Sequence, residues 1–401
     1  MSNIKVYSEI GPLKEVLVHT PGDEIRRIAP SRLDELLFSA LLEVDSAIEE
    51  HKAFLKVLTD NNIKVIQLDD LVTETYNGAT EAQRDAFIEK WLDEAEPKLS
   101  KTNRPLVKNY LLSIKDVKKM VRVMMAGVTN RELGIESKVE LIVDPMPNLY
   151  FTRDPFGSAG CGISLNNMKY PTRQRETLFS EFIFTTHPKY KDTPRWFDRT
   201  DKGKIEGGDI FIYTKDTLVI GVSERTNQDA IKTIAKHLQA NKESEFKKIV
   251  AINVPPMGNL MHLDTWLTMV DYDKFLYSTN VMSALKIWEI DLTAKKIEMK
   301  ESSGTLEEVL ESIIGKKPIL IPIAGEGASQ LDVDIETHFD GTNYLTIAPG
   351  VVVGYSRNRK TQAALEKAGV KVIPFDGNQL SLGMGSARCM SMPLVREDID
   401  K

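Results

Sequence analysis

The sequence predicts a mixed α/β protein, a pseudo-symmetric assembly of repeated strand–helix–strand modules. An apolar strand, an amphipathic helix and a second apolar strand recur along the chain, and the connecting helices exclude an all-β architecture. With 401 residues, 42% hydrophobic and 27% charged, the chain has apolar material for a sizeable core and the balance of a soluble globular protein.

The first module opens with the strand EVLVHTP (15–21). Across 31–59, Leu33, Leu36, Leu37, Ala40, Leu41, Val44 and Ala47 recur at spacings of three and four, which predicts one long amphipathic helix. NNIKVIQL (61–68) follows as a strand rich in Ile and Val after an Asn-Asn turn. The second module reads DTLVIGVSERT (216–226), DAIKTIAKHLQA, FKKIVAINV; the third reads GVVVGYSRNRK (350–360), TQAALEKAGV, VKVIPF. These two align with GVSER against GYSRN, which sets Arg225 against Asn358. Between the first and second modules, residues 80–135 carry almost no β signal. EAQRDAFIEKWLDEAEPKL, RPLVKNYLLSIK and VKKMVRVMMAGV read as short helices interrupted by Pro97 and Pro105. They form an expected helical insertion at about 75–140 in a single domain spanning 1–401, since no low-complexity linker divides the chain.

Lys plus Arg is 52 and Asp plus Glu is 58, a net charge of -6, without the basic footprint of a nucleic-acid binder. Apolar runs such as ILIPIA and VVVGY are far short of a membrane span, and the start carries no apolar signal region. Two cysteines, Cys161 and Cys389, make neither a disulfide framework nor a four-cysteine zinc site. A reducing cytoplasm is the expected compartment, with no nucleic-acid or membrane partner.

The residues able to carry chemistry sit where strands end. NLYFTRDPF (148–156) puts Asp154 before a proline, which biases it toward a strand end or turn. IEGGDIFIY (205–213) sets Glu206 and Asp209 around a Gly-Gly turn. NLMHLDTWLTMV (259–270) reads as extended, so His262 and Asp264, two apart, share one face. LSLGMGSARCMSMPL (380–394) sends a Gly-rich loop into Cys389. Each has a plain alternative: a buried structural thiol for Cys389, a satisfied histidine at 262, turn-shaping acids at 206 and 209. Cys161, in GSAGCGIS with no charged neighbour, keeps the structural reading. His262 and Asp264 lack a third and fourth ligand at recognisable spacing, so no metal is expected. GEGASQ (325–330) lacks the Lys-Ser/Thr of a phosphate loop, and GMGSAR (383–388) is not followed by a helix and strand. No G-x-S-x-G elbow is present. A cysteine, a histidine, a glutamate and two aspartates without a metal suit attack on a planar cationic carbon. Carboxylates grip a guanidinium through paired charge-assisted hydrogen bonds, a thiolate attacks it, and a histidine moves the protons.

FTRDP, EGGD, HLDTWLTMVD, HFDGTNYL and LGMGSARCMSMPL, in that order, resemble the bacterial arginine deiminases of the pentein, or guanidino-group-modifying, superfamily, over essentially the whole chain. The resemblance implies a pseudo-fivefold α/β-propeller of ββαβ modules with an inserted helical bundle. It implies hydrolysis of free L-arginine to L-citrulline and ammonia through an S-alkylthiouronium on Cys389. His262 would be the general acid and base, Asp154 and Asp264 would grip the guanidinium, and Glu206 would support both. Asn148, Arg173 and Arg225 would clamp the substrate's α-carboxylate and α-amino group, with Phe151 against its aliphatic stem. No cofactor is implied, and a homo-oligomer is. One departure concerns the Gly-rich loop: where some family members carry an arginine, this chain has Met384 and Gly385, and its nearest arginine is Arg388. Agmatine deiminase, methylarginine hydrolase and amidinotransferase remain as alternatives within the superfamily, and a catalytically silent binding module remains outside it.

Overall fold

The computed structural model describes residues 3–256 and 260–399. Asn259, the first residue of the expected extended run 259–270, lies outside them. Among the described residues one three-stranded arrangement occurs five times: an antiparallel pair, with a third strand added parallel to its second member after a crossover that carries a helix. In chain order, Gly162–Leu165 pairs with Phe156–Ala159 and, after the helix Thr177–Thr186, with Arg195–Phe197. Thr217–Val222 pairs with Ile210–Thr214 and, after Gln228–Ala240, with Lys248–Asn253. Lys274–Tyr277 pairs with Leu267–Met269 and, after Leu306–Ile314, with Ile319–Pro322. Val351–Tyr355 pairs with Leu345–Ala348 and, after Arg359–Lys367, with Lys371–Phe375. The remaining unit is closed by the far end of the chain. Leu13–Val18 runs parallel to Lys64–Gln67 after the helix Val44–Asp60, and Met392–Arg396 supplies its antiparallel partner. The parallel partnerships follow from the crossovers, since a helix between two strands returns the chain in the same direction.

The three modules read from periodicity match three of these units. The other two have short or interrupted strands, such as Arg195–Phe197 and Leu267–Met269, too brief to stand out as apolar runs. Three helices, Glu81–Asp93, Asn103–Ser113 and Val117–Ala126, occupy most of the stretch 80–135, with Leu68–Gly78 just before it, and the stretch ends in a two-residue strand, Val128–Thr129, that pairs with Leu141–Val143. Trp91, Val107, Val121 and Met124 from these helices share one apolar cluster with Ile163, Ile220 and Ile249 of the sheets. Pro105 does not interrupt a helix; it lies in the first turn of Asn103–Ser113, where its missing N–H has no intrahelical partner to lose. No helix among the described residues is long and apolar enough to cross a membrane.

The single helix expected over 31–59 is broken. A short turn of helix, Leu33–Leu36, ends at Leu37 in the left-handed region (φ 64°), and a regular helix resumes only at Val44. The apolar spacing runs through the break because Leu36 packs into the core while Leu41 is left exposed. Glu43 caps the second helix by accepting from the N–H groups of Asp45 and Ser46, which favours a restart there over continuation.

Candidate active site

Four strand-end segments converge on one buried spot. Asp154 lies at the end of FTRDP. Its carbonyl accepts from Asn166 Nδ2 (2.7 Å) and from the Gly207 N–H (3.2 Å), which ties this turn to the next one. Glu206 precedes the 3-10 turn Gly207–Asp209 at the entrance to Ile210–Thr214. Both glycines are needed for close approach. A Cβ at Gly207 would lie 1.9 Å from the Arg153 carbonyl oxygen, and one at Gly208 would lie 2.5 Å from His262 Nδ1.

The extended run expected around His262 is instead the 3-10 turn Leu263–Thr265 followed by the short strand Leu267–Met269. The cause is Asp209. Its Oδ1 accepts from the Leu263 N–H (2.8 Å) and its Oδ2 from Ser223 Oγ (2.6 Å), which pulls the backbone out of a ladder and into a turn. Burial pushes the Asp209 carboxyl up to about 6, against the pull of His262 and these donors.

Cys389 follows the turn Leu380–Gly383 and precedes the strand Met392–Arg396. Asn343 Oδ1, from HFDGTNYL, accepts from the N–H groups of Cys389 (3.1 Å) and Ser386 (3.3 Å). The Cys389 carbonyl accepts from the Arg153 N–H (3.1 Å). The thiol is therefore set by long-range contacts from both sides.

Seven of the expected residues line one cavity of about 20 Å³: Asn148, Phe151, Asp154, Arg173, Arg225, His262 and Cys389. Leu37, Met261, Thr265, Gly383 and Met384 complete its wall. Glu206 and Asp264 stand directly behind this wall. His262 Nε2 is 2.9 Å from Glu206 Oε2, and its Nδ1 is 3.9 Å from Asp154 Oδ1. Cys389 Sγ donates to Asp264 Oδ2 at 3.6 Å. All nine residues are at most 5% exposed.

The charges are interleaved. Arg173 Nη1 donates to Asp154 Oδ2 (2.9 Å), and its Nε and Nη2 fork onto Glu176 at 2.9–3.2 Å. Arg225 Nη1 donates to Glu206 Oε2 (3.3 Å) and Nη2 to Met261 Sδ (2.9 Å), while the guanidinium lies 4.9 Å from the Tyr170 ring centre. Arg388 Nη1 donates to Asp264 Oδ2 (2.8 Å). Burial opposes the imidazolium, yet Asp154, the hydrogen bond to Glu206 and the Asp209 charge lift His262 to about 9. Burial also opposes the Glu206 carboxylate, but Arg225, His262 and Arg173 hold it well below the usual carboxylate range. Burial, then Asp264, Asp154 and Asp340, push the Cys389 thiol well above its ordinary value, with Arg388 acting the other way. At neutral pH the site thus holds a thiol beside an imidazolium.

Asp154, Glu206 and His262 have ligand atoms within 4.8 Å of one another, close enough to share an ion. Those atoms are already engaged, Asp154 by Arg173 and the Gly208 N–H, Glu206 by His262 and Arg225.

Two expected binding groups are committed elsewhere in this conformation. Asn148 Nδ2 donates to the Leu36 carbonyl (2.8 Å), and Arg173 occupies the carboxylate of Asp154. Phe151 packs on Tyr150 with ring centres 4.0 Å apart, under the Gly-rich loop; a Cβ at Gly385 would lie 2.4 Å from Phe151 Cε1. Sequence reasoning did not foresee Leu37, Asn343, Glu176 or Glu9, whose Oε2 lies 3.5 Å from Arg388 Nη2. Asn343 lies inside a motif already singled out; Glu9 carries no sequence signal. Cys161 is half-buried, its Sγ 3.4 Å from the Glu243 carbonyl, away from these groups.

A sequence profile described as arginine deiminase matches residues 34–396. The putative arginine deiminase of Mycoplasma pneumoniae is 57% identical over 401 residues, covering 99% of each chain. The arginine deiminase of Metamycoplasma arthritidis is 58% identical over 398 residues, covering 99% of this chain and 97% of its own. Solved structures alike in fold include dimethylarginine dimethylaminohydrolase from Pseudomonas aeruginosa complexed with citrulline, with a TM-score of 0.52, 13% identity, and coverage of 95% of this chain and 99% of that one. An amidinotransferase from the Microseira wollei saxitoxin pathway gives a TM-score of 0.56 at 15% identity, covering 99% and 98%. The match runs through every segment that builds the cavity, from the Asp154 turn to the Cys389 loop, and on it the chain belongs to the arginine deiminase family.

Proposed function

We propose that the protein hydrolyses free L-arginine to L-citrulline and ammonia. The observation that carries this reading is a single cavity bordered by a thiol, an imidazolium, carboxylates and two guanidiniums. Carboxylates suit the substrate's guanidinium, and Arg173 and Arg225 suit its α-carboxylate. The closed cavity has room for roughly one water, so entry of arginine requires Leu37 and Met384 to move aside. Both sit in the left-handed backbone region, at φ 64° and 62°.

In this mechanism Asp154 and Asp264 seat the guanidinium, whose charge draws the thiol toward thiolate. The thiol gives up its proton to solvent. The sulfur then forms a bond to the guanidinium carbon, giving a neutral tetrahedral adduct. His262, as imidazolium, protonates one nitrogen; that C–N bond breaks and ammonia leaves, with the S-alkylthiouronium remaining. Neutral His262 takes a proton from water as the oxygen bonds to the same carbon. The hydroxyl loses its proton as the C–S bond breaks and citrulline departs; of that proton and the one the thiol first gave to solvent, the sulfur takes one back and the released ammonia takes the other as ammonium. Glu206 keeps the imidazole oriented and charged. Arg225, absent from the equivalent turn at Asn358, gives that module its selectivity for a free α-carboxylate. No metal or cofactor takes part in these steps.

We also infer that the five sheet units form a propeller around a pseudo-fivefold axis, as one domain with the helices of about 75–140 inserted. The recurring connectivity, the pairing of Leu13–Val18 with Met392–Arg396 and the shared apolar cluster support this. Assembly into a homo-oligomer in the cytoplasm rests on the family resemblance, and light scattering on the purified protein decides the assembly. The activity is decided by citrulline and ammonia release from arginine without added metal. Faster turnover of agmatine than of arginine would sink the arginine reading and favour a related guanidino-modifying enzyme.

A further inference from the structure

Behind the thiol lies a second layer of charge that the mechanism above does not use. Arg388, next to Cys389 in sequence, is 1% exposed and makes its contacts outside the residues that line the cavity. Its Nη1 donates to Asp264 Oδ2 (2.8 Å) and to the Gly208 carbonyl (3.3 Å). Its Nη2 donates to the Ile210 carbonyl (2.8 Å) and lies 3.5 Å from Glu9 Oε2. Its guanidinium carbon stacks 3.6 Å from the Phe211 ring centre. Glu9 is itself fixed, its Oε1 accepting from the Ile212 N–H at 3.1 Å. Asp264 and Asp154 differ accordingly. Both oxygens of Asp154 are occupied, by Arg173 and by the Gly208 N–H. Asp264 has Oδ2 on Arg388 and on the thiol, while Oδ1 is buried without a partner.

We propose that Arg388 is a positioning residue for the deimination: held by Glu9 and two strand-entry carbonyls, it fixes Asp264 through Oδ2, leaves Oδ1 as the free acceptor for the substrate, and balances the negative charge that Cys389 acquires 3.6 Å from that same Oδ2. The physical reason is local. A thiolate beside a carboxylate is a like-charge pair in a water-poor site, and each opposes the other's ionisation. A guanidinium on the same carboxylate oxygen offsets that repulsion and cannot itself lose its charge at working pH. Its planar fork also fixes the Asp264 rotamer, because one edge meets Oδ2 while the other meets a strand carbonyl. The adjacent position 388 serves this role from behind, whereas an arginine in the Gly-rich loop would lie on the cavity side.

Other charged groups face these two residues. Asp154, Asp340, His262, Arg173 and the hydroxyls of Tyr150 and Tyr355 surround Cys389. Arg153, Arg396 and Tyr213 surround Arg388 and Glu9. Only Arg388 contacts Asp264 by a charged donor among the described residues.

The proposal rests on the deiminase reading, yet its test is separable from it. In a Cys161→Ser background, the rate of iodoacetamide alkylation of Cys389 is measured against pH, and reports the thiol whether or not citrulline forms. Arg388→Gln is expected to move the alkylation profile toward alkaline pH by about one unit, roughly ten-fold slower alkylation at neutral pH, with a larger fall in kcat than change in KM. Arg388→Lys, which keeps charge without the fork, is expected to restore the profile more fully than kcat. Glu9→Gln removes the opposing carboxylate and is expected to move the profile the other way, toward acid pH. A structural defect alone would not give opposite signs. Unchanged profiles, or an alkaline shift in both the Arg388→Gln and Glu9→Gln variants, would overturn the proposal. If Arg388→Gln fails to fold by thermal melting, Glu9→Gln carries the test: an acid shift supports it, and no shift or an alkaline one refutes it.

Discussion

Arg173 Nη1 lies 2.9 Å from Asp154 Oδ2, so a guanidinium of the chain occupies the carboxylate proposed to seat the guanidinium of the substrate. Arg173 is also forked onto Glu176, whose carboxyl burial pushes up to about 7 even with that arginine beside it. Two buried acids, Asp154 and Glu176, thus share one side chain. Arg173→Ala would take the arginine from both buried acids, and breaking such a buried pair costs about 3–5 kcal/mol. Arg173→Lys keeps the charge but loses the fork. We expect it to fold and to raise KM for arginine by more than about ten-fold, with a smaller change in KM for agmatine. Equal effects on both substrates in a steady-state citrulline and carbamoylputrescine assay would remove Arg173 from the carboxylate clamp.

Cys389→Ala should leave the melting temperature near that of the parent, because the thiol is small and the loop is held by Asn343 and Arg153 through its backbone. Turnover should fall by at least about a thousand-fold, since removal of a nucleophile leaves only binding and electrostatic assistance. Mass spectrometry of acid-quenched wild-type protein should find an arginine-derived adduct on the peptide containing Cys389. Appreciable citrulline from the alanine variant would reassign the nucleophile.

The pH dependence follows from His262. Its folded value of about 9 lies above the ordinary imidazole value. The proton donated to leaving ammonia is therefore available at neutral pH and lost as pH rises through about 9, so kcat should decline there. The same shift links to stability. The contribution is fully present below about 6.5 and disappears as pH rises through about 9, a difference on the order of 3 kcal/mol. Denaturant titrations from pH 6 to 10 should show this loss in the parent and a reduced loss in His262→Asn. Equal slopes in the two proteins would contradict a charged histidine.

Gly208→Ala tests the fit behind the imidazole. The added Cβ would stand 2.5 Å from His262 Nδ1, and backbone strain is not at issue because Gly208 has no positive φ. The ring must shift by several tenths of an ångström or more. Misplacement on this scale costs about a hundred-fold in rate. We expect kcat to drop by that order, with arginine binding, read by equilibrium titration, changed far less. A fully active variant would mean that the ring position is looser than the structure indicates.

Asp209→Asn examines the turn itself. Asp209 accepts from the Leu263 N–H and from Ser223 Oγ, one on each oxygen, so an amide keeps one acceptor but turns its NH2 against the other donor. Leaving a buried donor unsatisfied costs about 1–3 kcal/mol. Stability should fall by this amount and the His262 loop should exchange amide hydrogens faster. Unaltered exchange at Leu263 and Asp264 would rule out Asp209 as the anchor.

The residues that meet at the cavity were legible in the sequence as a proposed reacting set because their residue types are unusual in company. A cysteine after glycines, a histidine two from an aspartate and an acid beside Gly-Gly suit few reactions together. Three of the strand–helix–strand units were legible because long strands and amphipathic helices carry period and length. Other features resisted reading for identifiable reasons. The apolar spacing across 31–59 matched a helix, but Leu37 turns left-handed and ends it, so that Leu37 can face the cavity. The alternation around His262 matched a strand, but Asp209, more than fifty residues away, captures the Leu263 N–H. Local periodicity records which side of the backbone is apolar; it does not record a hydrogen bond from a distant side chain.

By itself, then, the order of residues determined the α/β character, the family and the set of residues proposed to react, because composition, period and motif are properties of neighbouring positions. Only the tertiary structure decided which oxygen each guanidinium holds, why Arg388 stands behind Asp264 and not in the cavity, and how Glu9 comes to steady it. Those relationships join residues as much as 379 positions apart. They depend on distance and direction in space, and a buried charge settles on whichever partner packing brings within hydrogen-bonding reach.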